Sequence, residues 1–153
     1  MKNDTAGVIA PPPLIYAVIW AAGALLNLAF PPSVPVNGWI VILGPALIVL
    51  GVSLAVTGFR VMGRAGTNVN PYEPTTALVI EGPFRFTRNP LYLALMMLYV
   101  GIALALKLLW PVLLLPIALW IMRRGVIDRE ERYLAQKFGE AYSQYQQHVR
   151  RWI

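Results

Sequence analysis

The sequence predicts an all-α integral membrane protein: four transmembrane helices, the third and fourth paired as a hairpin, followed by a C-terminal amphipathic helix. Three observations carry that expectation. The 153 residues are 58% hydrophobic and 13% charged, with a mean hydropathy of +0.58, whereas an ordinary soluble domain is roughly 45–50% apolar and 25% charged. Four apolar runs without a charge occupy residues 14–30, 38–59, 91–106 and 108–122. The polar residues between and after them are gathered into two segments, a loop at 60–89 and a tail beyond Met122.

The first run follows Pro11, Pro12 and Pro13 and exits through Phe30, Pro31 and Pro32. That exit lacks the small-x-small pattern of a cleaved leader, so the run is expected to remain as a helix. Asn27 within it is polar where polarity is expensive, and a helix-to-helix hydrogen bond is the reading it favours. The second run meets the length needed to span a bilayer, and Gly44, Gly51 and Gly58 along it, like Gly23 in the first, suit close helix packing. Runs three and four are short and only Lys107 separates them, which predicts a tight helical hairpin turning at the far interface. Pro45, Pro111 and Pro116 predict kinks, tolerated in a bundle whose neighbours re-satisfy the freed carbonyls.

After Met122, residues Ile127, Glu130, Glu131, Leu134 and Phe138 keep helical spacing, so the fourth helix should continue out of the membrane. Gly139 is placed to end it. Tyr142, Tyr145 and Val149 then form a second amphipathic stripe suited to lie on lipid headgroups. Arg60, Arg64, Arg85 and Arg88 lie in the long loop and most remaining cations lie in the tail, whereas the loop between runs one and two has no charge. The positive-inside rule therefore puts both termini in the cytoplasm, and a bacterial inner membrane is the expected location.

Composition also excludes functions. The net charge of +6, from 13 basic and 7 acidic residues, is read as orientation and anionic-headgroup contact rather than nucleic-acid binding. With no cysteine and a single histidine, His148, the chain has no thiolate chemistry and no multi-histidine metal site; no metal is expected. His148 itself reads as a surface residue.

Chemistry concentrates where residues 81–92 run from a polar loop into the third apolar run. The Gly82-Pro83 turn presets the backbone, Arg85 and Arg88 offer fixed charge, and Asn89-Pro90 starts a helix with a side-chain cap and a proline suited to the first turn. An anionic or strongly dipolar ligand is expected there. Arg85 and Arg88 equally suit interfacial anchoring, Glu130 and Glu131 a solvated face paired with Arg123 or Lys137, and Tyr142 and Tyr145 a headgroup belt.

The blocks Leu78-Val79, Gly82-Pro83-Phe84, Arg88-Asn89-Pro90-x-Tyr92, Glu130-Glu131 and Phe138-Gly139-x-x-Tyr142-x-x-Tyr145, in this order, resemble the C-terminal signature of the membrane methyltransferases. That family includes isoprenylcysteine carboxyl methyltransferase and the phospholipid N-methyltransferases. The resemblance covers residues 65–153 and implies a single membrane domain, with two N-terminal helices in residues 1–59 and a cofactor-binding catalytic half in residues 60–153. It further implies a pocket for S-adenosylmethionine at the cytoplasmic face. The matching positions are Thr76, Ala77, Leu78 and Val79 before the turn, Phe84 after it, Asn89, Pro90, Leu91 and Tyr92 in the next block, and Glu130 on the fourth helix.

Around such a cofactor, its amino and carboxylate groups call for Glu130 or Glu131 and for Arg85 or Arg88, and its adenine for Phe84 and Tyr92. Should the acceptor be an amine, Glu131 or a tyrosine is the candidate base. Two departures stand out. Asn89 occupies a position that is histidine in many members and cannot titrate near neutrality. Val126 occupies the position of a substrate-side arginine, and the nearest cation on that helical face is Arg123. A lipid amine or lipid-like small molecule is therefore expected as acceptor, ahead of a prenylcysteine carboxylate. The rival readings are a membrane reductase using NADPH, like the sterol reductases, and a non-catalytic membrane scaffold or transporter.

Overall fold

A computed structural model describes residues 4–32 and 38–152. Among the described residues there are six α-helices: α1 (Pro12–Ala29), α2 (Gly38–Arg64), α3 (Pro90–Ala105), α4 (Leu109–Met122), α5 (Asp128–Phe138) and α6 (Glu140–His148). A 3₁₀ turn (Gly82–Arg85) precedes α3 and a π-helical turn (Arg123–Ile127) joins α4 to α5. The described residues contain no strand. Among the described residues, three helical segments are long and apolar enough to cross a membrane: Pro12–Ala29, Ile42–Arg64 and Leu109–Phe138. Pro90–Ala105 is apolar but shorter, with 16 residues, about 24 Å at 1.5 Å per residue against a hydrocarbon core of about 30 Å.

Small residues decide which helices meet. A Cβ added at Gly44 would lie 2.6 Å from the Ala105 nitrogen, one at Gly51 3.0 Å from the Ala94 carbonyl, and one at Gly58 2.7 Å from a Leu91 methyl. These glycines recur every seven residues, on one face of α2, and that face lies directly on α3. On the other side α1 packs on α4, where a Cβ at Gly23 would lie 2.7 Å from Pro111. The close packing expected of these four glycines is what the helices use.

Several polar groups in the apolar part are paired across helices, whereas the buried Tyr16 hydroxyl has no hydrogen-bond partner among the described residues. Asn27 Oδ1 accepts the Leu109 N–H (3.0 Å), which satisfies a donor at the start of α4. Trp20 donates to the Tyr99 carbonyl (3.2 Å), Tyr99 to the Pro111 carbonyl (2.7 Å), and Trp110 to the Phe30 carbonyl (2.8 Å). The core between α1, α3, α4 and the π turn is built on Ile15, Tyr16, Tyr99, Ala118, Met122 and Val126. α2 and α4 pass through Pro45 and Pro116 without ending. Pro111 falls in the first turn of α4, where a missing N–H costs no helical bond. Between α3 and α4, the Leu108 N–H bonds the Ala103 carbonyl and the Lys107 N–H the Leu104 carbonyl, with Lys107 at φ 57°. This is the closing pattern that usually employs glycine.

The tail breaks at Gly139 as expected, but its last helix packs against the long loop. α5 ends at Gly139, whose φ of 55° turns the chain, and α6 folds back beneath the loop so that Tyr142 is buried.

Candidate functional site

A cavity of about 580 Å³ lies where the long loop, the first turns of α3, α5 and α6 converge, within the range of small-molecule pockets. The loop that walls it is held by its own polar residues. Thr67 is buried, and its Oγ1 accepts the N–H groups of Thr76 (3.1 Å) and Ala77 (3.4 Å). Gly66 closes α2 at φ 66°. At the turn, Gly82 has φ 56°, and a Cβ there would lie 2.9 Å from a Val61 methyl, so the backbone conformation and the space both favour glycine.

Of the residues expected from the sequence, Ala77, Leu78, Val79, Phe84, Arg88, Asn89, Pro90, Leu91, Tyr92, Glu130 and Glu131 all line this cavity. Thr76 and Arg123 do not. Thr76 turns outward, its hydroxyl donating to the Gly66 carbonyl (2.7 Å). Arg123 is exposed, and the reason is the π turn: counting seven residues back from Glu130 places Arg123 on its face only in an uninterrupted α-helix, and i→i+5 bonding across Arg123–Ile127 shifts the register. The same shift buries Val126 completely in the core. Position 126 therefore does not face the cavity.

The polar groups of the cavity form two sets. In the first, Tyr92 donates its hydroxyl to Glu130 Oε2 across 2.6 Å, a length typical of a bond to a carboxylate. In the second, Glu131 receives Arg151 in bidentate fashion, Nε to Oε1 at 3.1 Å and Nη2 to Oε2 at 2.6 Å. Arg88 Nη1 also approaches Glu131 Oε1, at 3.3 Å, close enough for charge attraction but not aligned as a hydrogen bond. Arg88 Nε and Nη1 are consequently buried donors without a hydrogen-bond partner. Arg151 Nη1 pairs in addition with Asp128 Oδ1 at 3.0 Å. Glu131 is thus neither solvated nor paired with Arg123 or Lys137; Lys137 pairs with Asp4.

Asn89 stands at the N-terminus of α3 but does not cap it. Its Nδ2 donates to the Arg151 carbonyl (3.0 Å), as does the Thr87 hydroxyl (3.0 Å), and the Asn89 N–H is taken by Thr87 Oγ1 (3.2 Å). Pro90 lacks an N–H in any case, so the helix start needs one bond fewer. Tyr145 donates to the Phe84 carbonyl (2.7 Å). Burial pushes the Tyr142 hydroxyl up to about 12, with the Glu131 charge adding to it, and raises that of Tyr145 as well. Both phenols are protonated at neutral pH, which makes them donors rather than bases. His148 is exposed, with Nδ1 2.7 Å from the Gln144 carbonyl, and Arg85 is exposed outside the cavity.

Sequence reading missed Arg151 and the partnership of Tyr142 and Tyr145 with the loop. Nothing about an arginine near a basic chain end distinguishes it from its neighbours until the fold brings it to Glu131. The loop adds the polar residues Thr67, Asn68, Asn70 and Thr75, and an apolar part of the lining comes from the helices: Pro12 and Pro13 of α1, Ala55, Phe59 and Met62 of α2, and Leu95 and Leu98 of α3. Among the described residues, no group of three or more acidic or histidine residues could hold a metal ion. Unpartnered buried guanidinium nitrogens, a carboxylate and an apolar slot in one cavity complement a ligand carrying an anionic group, a cationic centre and a flat ring.

Comparison with known proteins agrees with this composition. Residues 39–141 match the family described as phospholipid methyltransferase. Over 127 residues the chain is 29% identical to protein-S-isoprenylcysteine O-methyltransferase B of Arabidopsis thaliana, covering 82% of this chain and 64% of that protein. The chain therefore spans somewhat less than two thirds of the length of that relative. No solved structure matches it. The family match extends over most of the chain and includes the loop, α3 and α5 that line the cavity, and the chain belongs to the phospholipid methyltransferase family.

Proposed function

We propose that this chain is an integral membrane methyltransferase that uses S-adenosylmethionine to methylate a lipid or other amphipathic acceptor. The observation that carries this reading is a cavity polar at one end and apolar at the other, in a chain of this family. When bound, the cofactor supplies a methyl on a sulfonium, an already activated donor. The protein's part is then chiefly to orient the two reactants and exclude water. Glu130 offers its charge to a cationic centre, with Tyr92 holding the carboxylate in place. Arg88 offers its buried Nε to a carboxylate, while its Nη1 lies 3.3 Å from Glu131. Leu78, Val79 and Phe84 form the slot for a ring. Both oxygens of Glu131 are engaged by arginines, which favours a role in fixing the site over one as a base.

The acceptor's tail is assigned to the apolar arm of the cavity. Leu91, Leu95 and Leu98 line one face of α3, and Ala55 and Phe59 face them from α2. Both α1 and α2 pack on α3, with little direct contact between α1 and α2 among the described residues. A chain lying in the bilayer can enter between them while the cofactor enters from water. In this reading α3 also crosses the membrane, as one arm of a hairpin with α4, which makes four spans with both termini cytoplasmic; a bacterial inner membrane suits the basic loop and tail. Nucleic acid has no place in it.

The test is calorimetric. Purified protein in detergent should show saturable heat and thermal stabilisation with S-adenosylhomocysteine and none with NADPH. Binding of NADPH alone would assign the chain to a reductase, and binding of neither to a non-catalytic membrane role.

A further inference from the structure

We propose that Arg151 is a positioning residue of this cavity, which it serves by locking α6 and the segment after it onto both the long loop and α5. The guanidinium and the backbone of this one residue engage different walls. Its guanidinium bridges Glu131 and Asp128 on α5, with nitrogen–oxygen distances of 3.1, 2.6 and 3.0 Å. Its carbonyl accepts from Thr87 Oγ1 and Asn89 Nδ2, both at 3.0 Å, and the preceding carbonyl, of Arg150, accepts the Arg88 N–H at 3.0 Å. Thr87 and Asn89 are buried, so these bonds are shielded from water and their loss would leave polar groups unsatisfied.

The geometry gives the lock a consequence for the site. α6 carries Tyr142 and Tyr145, both of which line the cavity, between two anchors. One is Gly139, where the chain turns at φ 55° with no neighbour within 4 Å of an added Cβ. The other is the segment at 149–152. With Arg151 seated, α6 is closed over the water-facing side of the cavity, Glu131 has one orientation, and Arg88 is left with its Nε free of protein partners. A planar fork that reaches two carboxylates at once is a demand lysine does not meet. Arg151 thus acts through Glu131, Arg88 and the loop, and touches no ligand itself.

The experiment uses the whole chain in detergent and compares Arg151→Ala, Arg151→Lys and Arg150→Ala with the wild type by amide hydrogen exchange and by S-adenosylhomocysteine titration. In Arg151→Ala, exchange should accelerate in residues 86–92 and 140–148 while the interiors of α1 to α4 keep their protection. Affinity should fall by about 10- to 100-fold, the scale of a small misplacement of binding groups. Arg151→Lys should fall between, and Arg150→Ala, which keeps the carbonyl that bonds Arg88, should match the wild type. Wild-type exchange in those two segments of Arg151→Ala would overturn the proposal; if that variant does not fold, Arg151→Lys supplies the same readout. The titration arm rests on the methyltransferase reading and the exchange arm does not. A wild type that binds no S-adenosylhomocysteine would remove that reading, while accelerated exchange would still uphold the lock.

Discussion

Tyr92 near the start of α3 donates its hydroxyl to Glu130 on α5 across 2.6 Å, joining residues 38 positions apart. The bond spans the cavity's polar end, so the same contact ties the loop–α3 corner to α5 and orients a carboxylate. Tyr92→Phe keeps the ring and removes the donor. The expected loss is about 1–3 kcal/mol of stability, the range for leaving a buried acceptor short of its partner. Thermal unfolding in detergent measures it, and a melting temperature equal to that of the wild type would show that the pair holds nothing together.

Glu131 is the carboxylate on which two arginines converge, at 11% side-chain exposure against 12% for Arg88 and 26% for Arg151. Glu131→Ala leaves two cations facing each other without an anion between them. The cost should be roughly 3 kcal/mol, the lower end for breaking a buried pair, because Arg151 retains contact with water and with Asp128. Arg151→Ala made in that background should cost far less than it does alone, and a double-mutant cycle gives the difference directly. Additive effects would mean the two side chains do not act together.

The α2–α3 contact makes a prediction about space. A side chain at Gly44 meets backbone, the Ala105 nitrogen at 2.6 Å and the Gly101 carbonyl at 2.9 Å, neither of which can rotate away. Gly44→Val should therefore push the helices apart at a cost of about 1–3 kcal/mol. Gly63, near the end of the same helix, has nothing within 4 Å, and Gly63→Ala should be neutral or stabilise by about 0.5–1 kcal/mol through its helix propensity. Unfolding midpoints of the two variants should move in opposite directions, or Gly63→Ala should not move at all.

These glycines mark what could be read from the chain alone. A seven-residue repeat of small residues in an apolar run implies a contact face, and a lone Asn27 implies a partner, because each is a local pattern with one inexpensive solution in a bundle. Three helices long and apolar enough to span a membrane followed from the same logic. The cavity's loop residues were legible only through ordered blocks shared with a family. What escaped was non-local or depended on register. The π turn displaced Arg123 and Val126 from the face that an ideal helix gives them. Asn89 exchanged the expected cap for the Arg151 carbonyl, a partner 62 positions away.

Asp4 predicts a pH dependence at the other end of the chain. Hydrogen bonds from Lys137 (2.6 Å) and Tyr133 (3.0 Å) hold its carboxyl below the ordinary value of 3.8. A depressed carboxyl contributes its stabilisation fully above that ordinary value and loses it as pH falls through the lower, folded-state value. The residues before α1 should thus stay docked on α5 from neutrality down to about pH 4 and loosen only below it. Limited proteolysis ahead of Pro11 at a series of pH values follows this. Asp4→Asn should give the low-pH pattern at pH 7, and its effect should shrink in high salt because the pair is exposed.

The apolar arm of the cavity yields the prediction that separates acceptor from cofactor. Ala55 on α2 lines the cavity together with Leu95 and Leu98 of α3, and Leu98 lies six residues beyond Tyr92, about 9 Å further along the helix at 1.5 Å per residue. A bulky side chain at Ala55 therefore enters the arm assigned to the acceptor's tail well away from Glu130 and Arg88. Ala55→Trp should leave S-adenosylhomocysteine affinity within about twofold of the wild type, since none of the polar bonds around the cofactor's counterparts depends on it. Turnover of long-tailed acceptors should fall at least tenfold, mostly through KM, because tail binding is lost from ground state and transition state alike. Short-tailed acceptors should suffer less, since less of the tail would occupy the blocked space. Equal losses for long and short tails would place the tail elsewhere, and a matching loss of S-adenosylhomocysteine affinity would mean that the arm belongs to the cofactor.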